Sequence, residues 1–382
     1  MINKKVAIIT YYFNIRDTDR PYSVYKYFKQ KGFNVEVICG DYDHNAKQYK
    51  EYDIDDINSI HVKKYSKNIS IKRIYSNLMF AIDASKYIKN TKHDIYYIII
   101  PPNITAFLCG IIAKKSNSKL IVDVFDLYPE TIPLSPKIKK ILNLFGLWIW
   151  SYLRDYSIKI SDVFISSCNY YLSYLGISKS KKNHVVPLCK GNARINNVKF
   201  IDNDCLNIVY LGALTHNYDF ESLIYIMKEL KNVNKRAKLS IIGDGENREW
   251  LLMSLKKNEI EFEFYGRMYD DVEKEKILTK CHFGFNGFKE NTNIALSYKS
   301  MEYMSNGLAL INSCKEDTWN LVNSNNIGIN YNNFTLDKLI NQMINLTADE
   351  IQEMKENSLQ VYNKYYSFDK YLENMDSIID HF

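Results

Sequence analysis

The sequence lacks the cysteine and histidine patterns that mark metal sites and disulfide frameworks. Its seven cysteines form no C-x-x-C pair, and no pair of histidines lies near them. Neither a zinc site nor a secreted disulfide scaffold is therefore indicated. Cysteines without such a framework suit a reducing compartment, so we expect a cytoplasmic protein.

Long apolar runs are missing as well. No apolar run reaches the 18 residues that a membrane-spanning helix needs. The opening residues, MINKKVAIIT, are too short and too strand-like for a secretory signal. The sequence predicts neither a membrane span nor export.

Two glycine-rich phosphate signatures are also absent. No GxxxxGK[ST] motif occurs, and the loop at 11–19, after the first predicted strand, contains no glycine. These absences exclude a P-loop and argue against a dinucleotide site in the first loop.

Length and charge suggest two domains with different partners. The 382 residues are too many for one ordinary core, and 46% hydrophobic with 25% charged residues is typical of soluble globular proteins. Residues 1–190 hold 29 Lys and Arg against 16 Asp and Glu, or +13, whereas residues 191–382 hold 21 against 28, or −7. We expect the basic half to face an anionic partner, such as a lipid headgroup or a pyrophosphate. Nucleic acid is not expected, because aromatic residues are not interleaved with Lys and Arg on any strand pair.

Predicted strands and helices alternate through both halves. Apolar strands at 5–10, 34–39 and 95–100 are followed by helical patterns, and the alternation restarts with a strand at 206–212. This order predicts an α/β protein with two doubly wound parallel sheets.

The boundary between the two predicted domains falls in a tract of low periodicity after Cys189. The predicted domains are 1–190 and 191–365, and a last helix within 366–382 crosses back to the first domain. Ligands of such sheets bind at the carboxyl ends of the strands, so the loops there carry the candidate site residues.

The stretch 282–314 reads as strand, loop, short helix and strand. Ser297 is a good N-cap for that helix, and Gly307 suits the left-handed residue that ends it. Lys299 and Glu302 stand three residues apart and share one helix face. A helix N-terminus with a lysine attracts phosphate, and a glutamate one turn deeper can accept hydrogen bonds from sugar hydroxyls. This pairing suits a nucleotide sugar, although an exposed Lys–Glu pair of little consequence is the simpler interpretation.

Two strand ends of the first half carry candidate acceptor-side residues. Arg20 opens the first helix at the carboxyl edge, where it is either an acceptor-side cation or a solvated arginine. Asp126 and Glu130 follow the strand at 120–124. They either order the acceptor and the transferred sugar, or Asp126 caps the turn and Glu130 is exposed. The D-x-D pairs within 41–58 lie in a polar loop, and we do not expect them to hold a metal.

Residues 137–160 combine a basic start, Lys137, Lys139 and Lys140, with a Trp-rich amphipathic pattern. Such a helix can lie in the membrane interface, which suggests a position at the inner face of the cell membrane. A core helix with a solvated basic start is the alternative.

Two glycine-marked turns follow neighbouring strands of the second half. They are Gly243-Asp244-Gly245 and Gly266-Arg267. Glycine lets the backbone approach a flat ligand closely, so these turns suit a base and ribose better than a triphosphate.

The ordered set of segments resembles a family of known fold. In the second half the segments are VYLGAL, SIIGDGENREW, FYGRM and ALSYKSMEYMSNGLAL, and in the first half KLIVDVFDLYPET and HVVPLCKG. The chain resembles GT-B glycosyltransferases of the retaining family 4, in the branch that builds capsule, O-antigen or exopolysaccharide. The resemblance implies two Rossmann-like domains facing each other across a cleft.

The resemblance also implies roles for residues of the second domain. Glu302 is expected to bind the donor ribose, and Lys299 matches a lysine of this branch. The turns Gly243–Gly245 and Gly266-Arg267 are expected to meet the base. Amides near Gly212 and Ala213 are expected to meet the diphosphate, together with the helix that begins after Ser297.

This sequence departs from the family in three places. The loop at 11–19 lacks the glycine-rich segment, and Ile294 stands where the family carries an earlier glutamate. The two cations that often clamp the diphosphate are absent, because Ala213 and Asn217-Tyr218 occupy their region. Lys299 and Arg267 are the residues that can replace them.

We therefore expect a metal-independent transferase without a cofactor, in which Asp126, Lys299 and Glu302 carry catalysis. It moves a hexose or an N-acetylhexosamine from a UDP-linked sugar to a lipid-linked or growing glycan, with retention, in cell-surface polysaccharide biosynthesis. The first domain takes the acceptor and the second the nucleotide sugar. Two alternatives stay open: an inactive GT-B paralogue that binds glycan or a partner transferase, and a sugar-nucleotide 2-epimerase.

Overall fold

The computed structural model describes residues 4–16, 19–44, 46–67, 70–132, 146–202, 204–292 and 294–380. The chain divides into two compact units. Unit 1 runs to Cys189 and includes the residues from Tyr371 onward, and unit 2 comprises Lys190–Lys370. Each unit is built around its own sheet.

Unit 1 contains strands and helices in alternation. Its strands are β1 (Lys5–Ile9), β2 (Asn34–Gly40), β3 (Tyr42–Asp43), β4 (Gln48–Tyr49), β5 (Ile57–Ile60), β6 (Ile95–Ile100), β7 (Lys119–Val124), β8 (Val163–Ser166) and β9 (Asn183–Val185). Its helices are α1 (Arg20–Gln30), α2 (Ile71–Asn90), α3 (Asn103–Lys115), α4 (Leu147–Ile160) and α5 (Asn169–Tyr174). Seven strands form a parallel sheet in the order β5-β2-β1-β6-β7-β8-β9, and β3 pairs with β4 in an antiparallel ribbon.

The centre of this sheet is apolar on both faces. All six residues of β6, IYYIII, are buried, and four of the five residues of β1 are buried. Continuous apolar runs of this kind are typical of parallel strands that helices cover on both sides. Burying each large aliphatic side chain contributes about 1.5–3 kcal/mol, so these strands anchor the unit.

Unit 2 repeats the alternation. Its strands are β10 (Leu206–Leu211), β11 (Ala237–Ile242), β12 (Phe262–Gly266), β13 (Phe283–Asn286), β14 (Ala309–Asn312) and β15 (Gly328–Asn330). Its helices are α6 (Phe220–Asn232), α7 (Arg248–Lys257), α8 (Asp271–Leu278), α9 (Tyr298–Ser305), α10 (Glu316–Asn325), α11 (Leu336–Asn345) and α12 (Ala348–Tyr365). A final helix, α13 (Phe368–Ile379), begins in unit 2 and continues into unit 1.

The six parallel strands of unit 2 are ordered β12-β11-β10-β13-β14-β15. The chain moves outward from β10 to β12, then returns to the other side of β10 with β13. The strand order therefore reverses between β10 and β13, which is the position where open α/β sheets bind ligands. In unit 1 the corresponding reversal lies between β1 and β6.

The predicted fold class, α/β with two parallel sheets, is confirmed. The Trp-rich part of the predicted segment 137–160 forms α4, which begins at Leu147. Lys137, Lys139 and Lys140, on which the basic start depends, lie outside the described residues. None of the helices in the described part of the chain is long and apolar enough to cross a membrane.

Candidate functional site

The candidate site of unit 2 lies where the loops after β10, β11 and β12 are joined by backbone hydrogen bonds. The N–H of Gly212 donates to the carbonyl of Ile242 at 2.9 Å, and the N–H of Gly243 donates to the carbonyl of Gly266 at 2.7 Å. The N–H of Leu214 donates to the carbonyl of Asp244 at 3.0 Å. The predicted turns therefore lie side by side at one edge of the sheet.

This close approach explains the two glycines around Asp244. Gly243 has a φ of +147°, and a Cβ atom there would lie 1.8 Å from the carbonyl oxygen of Gly212. A Cβ atom at Gly245 would lie 2.4 Å from the carbonyl oxygen of Leu214. Backbone packing between adjacent loops is sufficient to require glycine at both positions.

Asp244 and Arg267 meet at the outer side of these turns. One carboxylate oxygen of Asp244 accepts from the N–H of Gly245 at 2.9 Å, and the other lies 3.5 Å from the Nε of Arg267. Arg248 lies 3.9 Å from the same carboxylate. The guanidinium of Arg267 is largely exposed, so this pair leaves it accessible to a ligand.

The helix α9 begins beside these turns and is capped as predicted. The hydroxyl of Ser297 accepts from the N–H of Ser300 at 3.1 Å and donates to the amide oxygen of Asn286 at 3.0 Å. The helix ends before Gly307, whose φ is +62°. Tyr303 holds α9 in place, because its hydroxyl accepts from the N–H of Leu211 at 2.8 Å. The helix N-terminus is thereby fixed at the point where the strand order reverses.

Lys299, in the first turn of α9, has an unusual environment. The residue is only 8% exposed, and its Nζ has no hydrogen-bond partner. The Nζ lies 3.4 Å from the ring centroid of Tyr218, 4.5 Å from that of Tyr210 and 4.9 Å from that of Phe288. We call these three rings the aromatic cage. Desolvation lowers the pKa of Lys299 well below its ordinary value.

The loop after β10 adjoins this lysine. A Cβ atom at Gly212 would lie 3.9 Å from the aliphatic chain of Lys299. The N–H of Gly212 is bound to Ile242, so the diphosphate-binding role expected of that amide is contradicted. The N–H of Ala213 has no acceptor among the residues that the structure describes. Lys299, the Ala213 amide and the N-terminus of α9 are together the groups here that can bind an anion.

Glu302 is buried one turn further along α9. Its side chain forms an ion pair with Lys190, with 2.5 Å between Nζ and Oε1. Its main-chain carbonyl accepts from the side chains of Ser305 and Asn306. The simpler interpretation, an exposed Lys299–Glu302 pair, is contradicted, because both residues are buried.

In unit 1 the structure contradicts the acceptor-side role expected of Arg20. Its guanidinium donates to both carboxylate oxygens of Asp123, at 2.8 and 3.0 Å. A further nitrogen donates to the carbonyls of Val186 and Pro187. The side chain is 1% exposed, so Arg20 has no surface for a ligand and serves as a structural residue.

The Glu130 carboxylate accepts hydrogen bonds from two side chains of unit 1. One oxygen accepts from the buried Arg154 at 2.6 Å, and the other accepts from Ser151 at 3.2 Å. Arg154 also donates to the carbonyl of Tyr128 at 3.2 Å. Glu130 is therefore not an isolated exposed residue but helps to fix the turn at 126–130, and its acceptor-side role stays a prediction.

Asp126 is the carboxylate of this turn that remains near other candidate groups. Burial raises its pKa above the ordinary value, although the Thr131 hydroxyl opposes this shift. The charge of Arg73 acts on both Asp126 and Tyr128, and the Nε of Arg73 donates to the hydroxyl of Tyr12 at 3.1 Å. We call Tyr12, Arg73, Asp126 and Tyr128 the Arg73 group.

Within the described ranges, no group of three or more His, Cys, Asp or Glu side chains is arranged to hold a metal ion.

No protein-family model matches the chain, and no curated protein matches it either. Solved structures match it over its whole length. Sucrose-phosphate synthase from Thermosynechococcus elongatus superposes with a TM-score of 0.70 at 12% identity, with 99% of each chain covered. A glycosyltransferase from Rickettsia africae gives 0.68 at 15% identity over 100% of this chain and 99% of that one. Anabaena HepE, in complex with UDP and glucose, gives 0.67 at 10% identity over 100% of both chains.

The chain has the GT-B fold. Sequence reasoning missed several residues near the candidate sites of this GT-B chain. Asn286 is one of them, and its amide donates to Asn312, which donates in turn to Asn330, at 2.7 Å each. A signal for this ladder was present, because β13, β14 and β15 each end in asparagine. Lys190 and Arg73 had no such signal, since each reaches its partner across a long sequence separation.

Proposed function

We propose that the protein is a glycosyltransferase. It transfers a hexose or an N-acetylhexosamine from a UDP-linked sugar to a lipid-linked or growing glycan, with retention, as a family 4 enzyme of cell-surface polysaccharide biosynthesis. The observation that carries this proposal is the buried ammonium of Lys299, which has no hydrogen-bond acceptor and lies where the strand order of unit 2 reverses. The GT-B fold supports it, as does the UDP bound to Anabaena HepE.

The proposed chemistry begins with cleavage of the bond between the sugar and its diphosphate. Negative charge then develops on the departing phosphate oxygen. A buried cation next to a helix N-terminus stabilises such charge strongly, because little water screens the interaction. Lys299, the Ala213 amide and α9 supply this stabilisation, so we propose that turnover needs no metal ion. An acceptor hydroxyl attacks the sugar carbon from the face that the phosphate leaves, and its proton passes to the departing phosphate oxygen.

The other candidate residues have binding roles in this proposal. Glu302 accepts hydrogen bonds from the donor ribose, while Asp244 and Arg267 lie beside the base. In unit 1, Asp126 and the rest of the Arg73 group orient acceptor hydroxyls. A carboxylate and an arginine framed by tyrosines suit a sugar, because hydroxyls need both acceptors and donors.

The acceptor side of unit 1 also presents an apolar surface. Ile71 is 84% exposed, and Ile74, Tyr75 and Leu78 continue its stripe along α2. Trp148, Ile149 and Tyr152 are exposed on α4, and both helices pack against α3. The exposed Lys63, Lys64, Lys67 and Lys72 lie near the start of α2 in the sequence. Exposed apolar side chains together with exposed lysines fit an anionic membrane surface, where a lipid-linked acceptor is found.

Co-sedimentation with vesicles of anionic phospholipid tests this membrane partner. Ile71→Ser combined with Trp148→Ser is expected to reduce binding at least about tenfold, since burial of such side chains contributes about 1.5–3 kcal/mol each. Phe334→Ser, on an exposed residue of unit 2, is the control. Equal pelleting of all three proteins would remove the membrane from the proposal.

The main test of the proposed reaction is sugar transfer by variants of α9. Lys299→Ala and Glu302→Ala are each expected to lower turnover at least about 10²-fold, because the first removes a cation that stabilises the leaving phosphate and the second removes the carboxylate that positions the donor ribose. The control is Lys289→Ala, because Lys289 is a more exposed lysine in the segment before α9 and pairs with Glu221. Transfer near the wild-type rate by both α9 variants would contradict the proposal.

The second candidate function is an inactive paralogue that binds glycan or a partner transferase. Two observations favour it: the aromatic cage encloses Lys299, and Glu302 is already paired with Lys190. A ligand that binds only the folded state raises the melting temperature, so thermal unfolding with millimolar UDP or GDP separates the two candidates. A rise with either nucleotide supports the enzyme, and no rise supports the paralogue.

A further inference from the structure

Lys190 is the partner of Glu302 and belongs to no predicted site. It is the first residue of unit 2, and its Nζ lies 2.5 Å from Oε1 of Glu302. The two side chains are 13% and 11% exposed, whereas the surface pair Lys231–Glu259 is 47% and 81% exposed. Ion pairs shielded from water are screened less by salt, so Lys190 holds its partner more firmly than a surface lysine does.

Lys190 also takes part in a wider charge network. Burial alone raises the pKa of Asp271, but the ion pair with Lys274 and the charges of Lys190 and Arg194 lower it overall. Arg194 pairs with Asp271 at 2.8 Å. Lys190 therefore pairs with the carboxylate of Glu302, and its charge also acts on that of Asp271. This arrangement fixes the ammonium, and through it the orientation of the Glu302 side chain.

The ion pair leaves Glu302 with unused acceptor capacity. A carboxylate has about four lone-pair positions, and the Lys190 ammonium occupies one of them on Oε1. The second oxygen accepts no hydrogen bond from the residues that the structure describes, so its lone pairs are available to hydroxyl groups. Hydroxyl hydrogen bonds to an ionised carboxylate are roughly twice as strong as neutral ones, provided that the carboxylate is held in place.

We propose that Lys190 is a positioning residue of the donor site and makes that site selective for ribonucleotides. This inference rests on the proposed function, in which Glu302 accepts hydrogen bonds from the donor ribose. Lys190 keeps the carboxylate in one rotamer facing the sugar hydroxyls. Without it, Glu302 loses its charge partner and its fixed orientation. A site built to bond a hydroxyl discriminates against the analogue that lacks it.

The test is calorimetric titration with UDP and 2′-deoxy-UDP, and with GDP and 2′-deoxy-GDP. The wild-type protein is expected to prefer one ribonucleotide over its deoxy analogue by at least about tenfold, which is the usual worth of a charge-assisted hydrogen bond. Lys190→Met is expected to reduce this preference to less than about threefold, and Lys190→Arg to restore most of it. Arg194→Met is the matched control, because it removes a neighbouring cation that does not contact Glu302.

The preference ratio separates positioning from mere structural support. A substitution that only destabilises unit 2 lowers the affinity for the ribonucleotide and for its deoxy analogue equally, so the ratio of the two affinities stays at the wild-type value. An unchanged ratio in Lys190→Met would therefore overturn the proposal. Tighter UDP binding by Lys190→Met would also overturn it, because Lys190 would then compete with the ribose. If the wild-type protein binds neither UDP nor GDP, the proposed function itself fails. Should Lys190→Met not fold, Lys190→Gln takes its place.

Discussion

Arg20 in unit 1 and Lys299 in unit 2 occupy similar positions and have opposite surroundings. Both are buried cations near the start of a helix at the carboxyl edge of a parallel sheet. Arg20 donates hydrogen bonds to Asp123 and to two main-chain carbonyls. Lys299 faces three aromatic rings and has no acceptor. A buried charge with hydrogen-bond partners supports the fold, whereas one without an acceptor is a candidate for binding a ligand.

We expect the largest effect on stability from replacing Arg20, the buried cation that has hydrogen-bond partners. Arg20→Met should lower the free energy of unfolding of unit 1 by about 3–5 kcal/mol, because Asp123 is left buried without its charge partner. Native-state hydrogen exchange measures this for unit 1 separately. The double variant Arg20→Met/Asp123→Asn should recover part of this loss of stability. The control Arg16→Met replaces an exposed arginine nearby in the chain and should change the free energy of unfolding little. A loss below about 1 kcal/mol in Arg20→Met would mean that the pair is not structural.

Replacing Lys299, which has no hydrogen-bond acceptor, should raise stability instead of lowering it. Lys299→Met places an apolar side chain of similar length among the rings of the aromatic cage and removes a costly buried ammonium. We expect the free energy of unfolding of unit 2 to rise by at least about 1 kcal/mol. The same hydrogen-exchange measurement reports it. Destabilisation of unit 2 by more than about 2 kcal/mol would show that Lys299 supports the fold, as Arg20 does.

A buried histidine, His282, makes the stability of unit 2 depend on pH. Burial and the charge of Lys355 lower the pKa of His282 to about 4, and its Nδ1 accepts from the N–H of Asn207 at 2.9 Å. The folded state therefore binds fewer protons than the unfolded state between about pH 4 and pH 6.5, so stability is lost as the pH falls through this window. Unit 2 should lose up to about 3 kcal/mol between pH 7 and pH 4.

His282→Asn is the variant that isolates this effect, because the asparagine oxygen can accept the same N–H without titrating. Its unit 2 should show a flatter dependence of stability on pH than the wild type, whereas unit 1 should be unchanged. Identical pH profiles of the two proteins would remove His282 as the cause.

The smallest effect is expected at the surface pair Asp244–Arg267. Arg267→Gln should change the free energy of unfolding by less than about 1 kcal/mol, because exposed pairs contribute little. We expect it to weaken nucleotide binding only a few-fold, and Arg248→Gln, which faces the same carboxylate, to leave binding unchanged. Equal losses in both variants would show that the net charge near Asp244 matters and that Arg267 has no specific contact.

The sequence was sufficient for the fold and for the local structure of α9. The alternation of apolar strands and helices predicts both parallel sheets, and the Ser297 cap and Gly307 stop are local signals that the structure confirms. Such features depend on residues that are close in the chain, so they can be predicted from a single sequence.

The side-chain partners could not be predicted, because they come from distant parts of the chain. Arg20 and Asp123 are 103 residues apart, and Glu302 pairs with Lys190 from another segment. The sequence does not distinguish a charged residue at a sheet edge that has a buried ion-pair partner from one that has none. For that reason the sequence predicts an acceptor-side role for Arg20, which the structure contradicts, and gives no sign of the contact between Lys190 and Glu302.

We propose above that Lys299 is the cation of a donor site. The decisive measurement of this role is calorimetric titration of UDP and GDP into the wild-type protein and into Lys299→Met. We expect the wild-type protein to bind one of the two nucleotides and the folded variant to bind it at least about tenfold more weakly, because a charged hydrogen-bond partner is lost. Equal affinity of the two proteins for that nucleotide would contradict the claim.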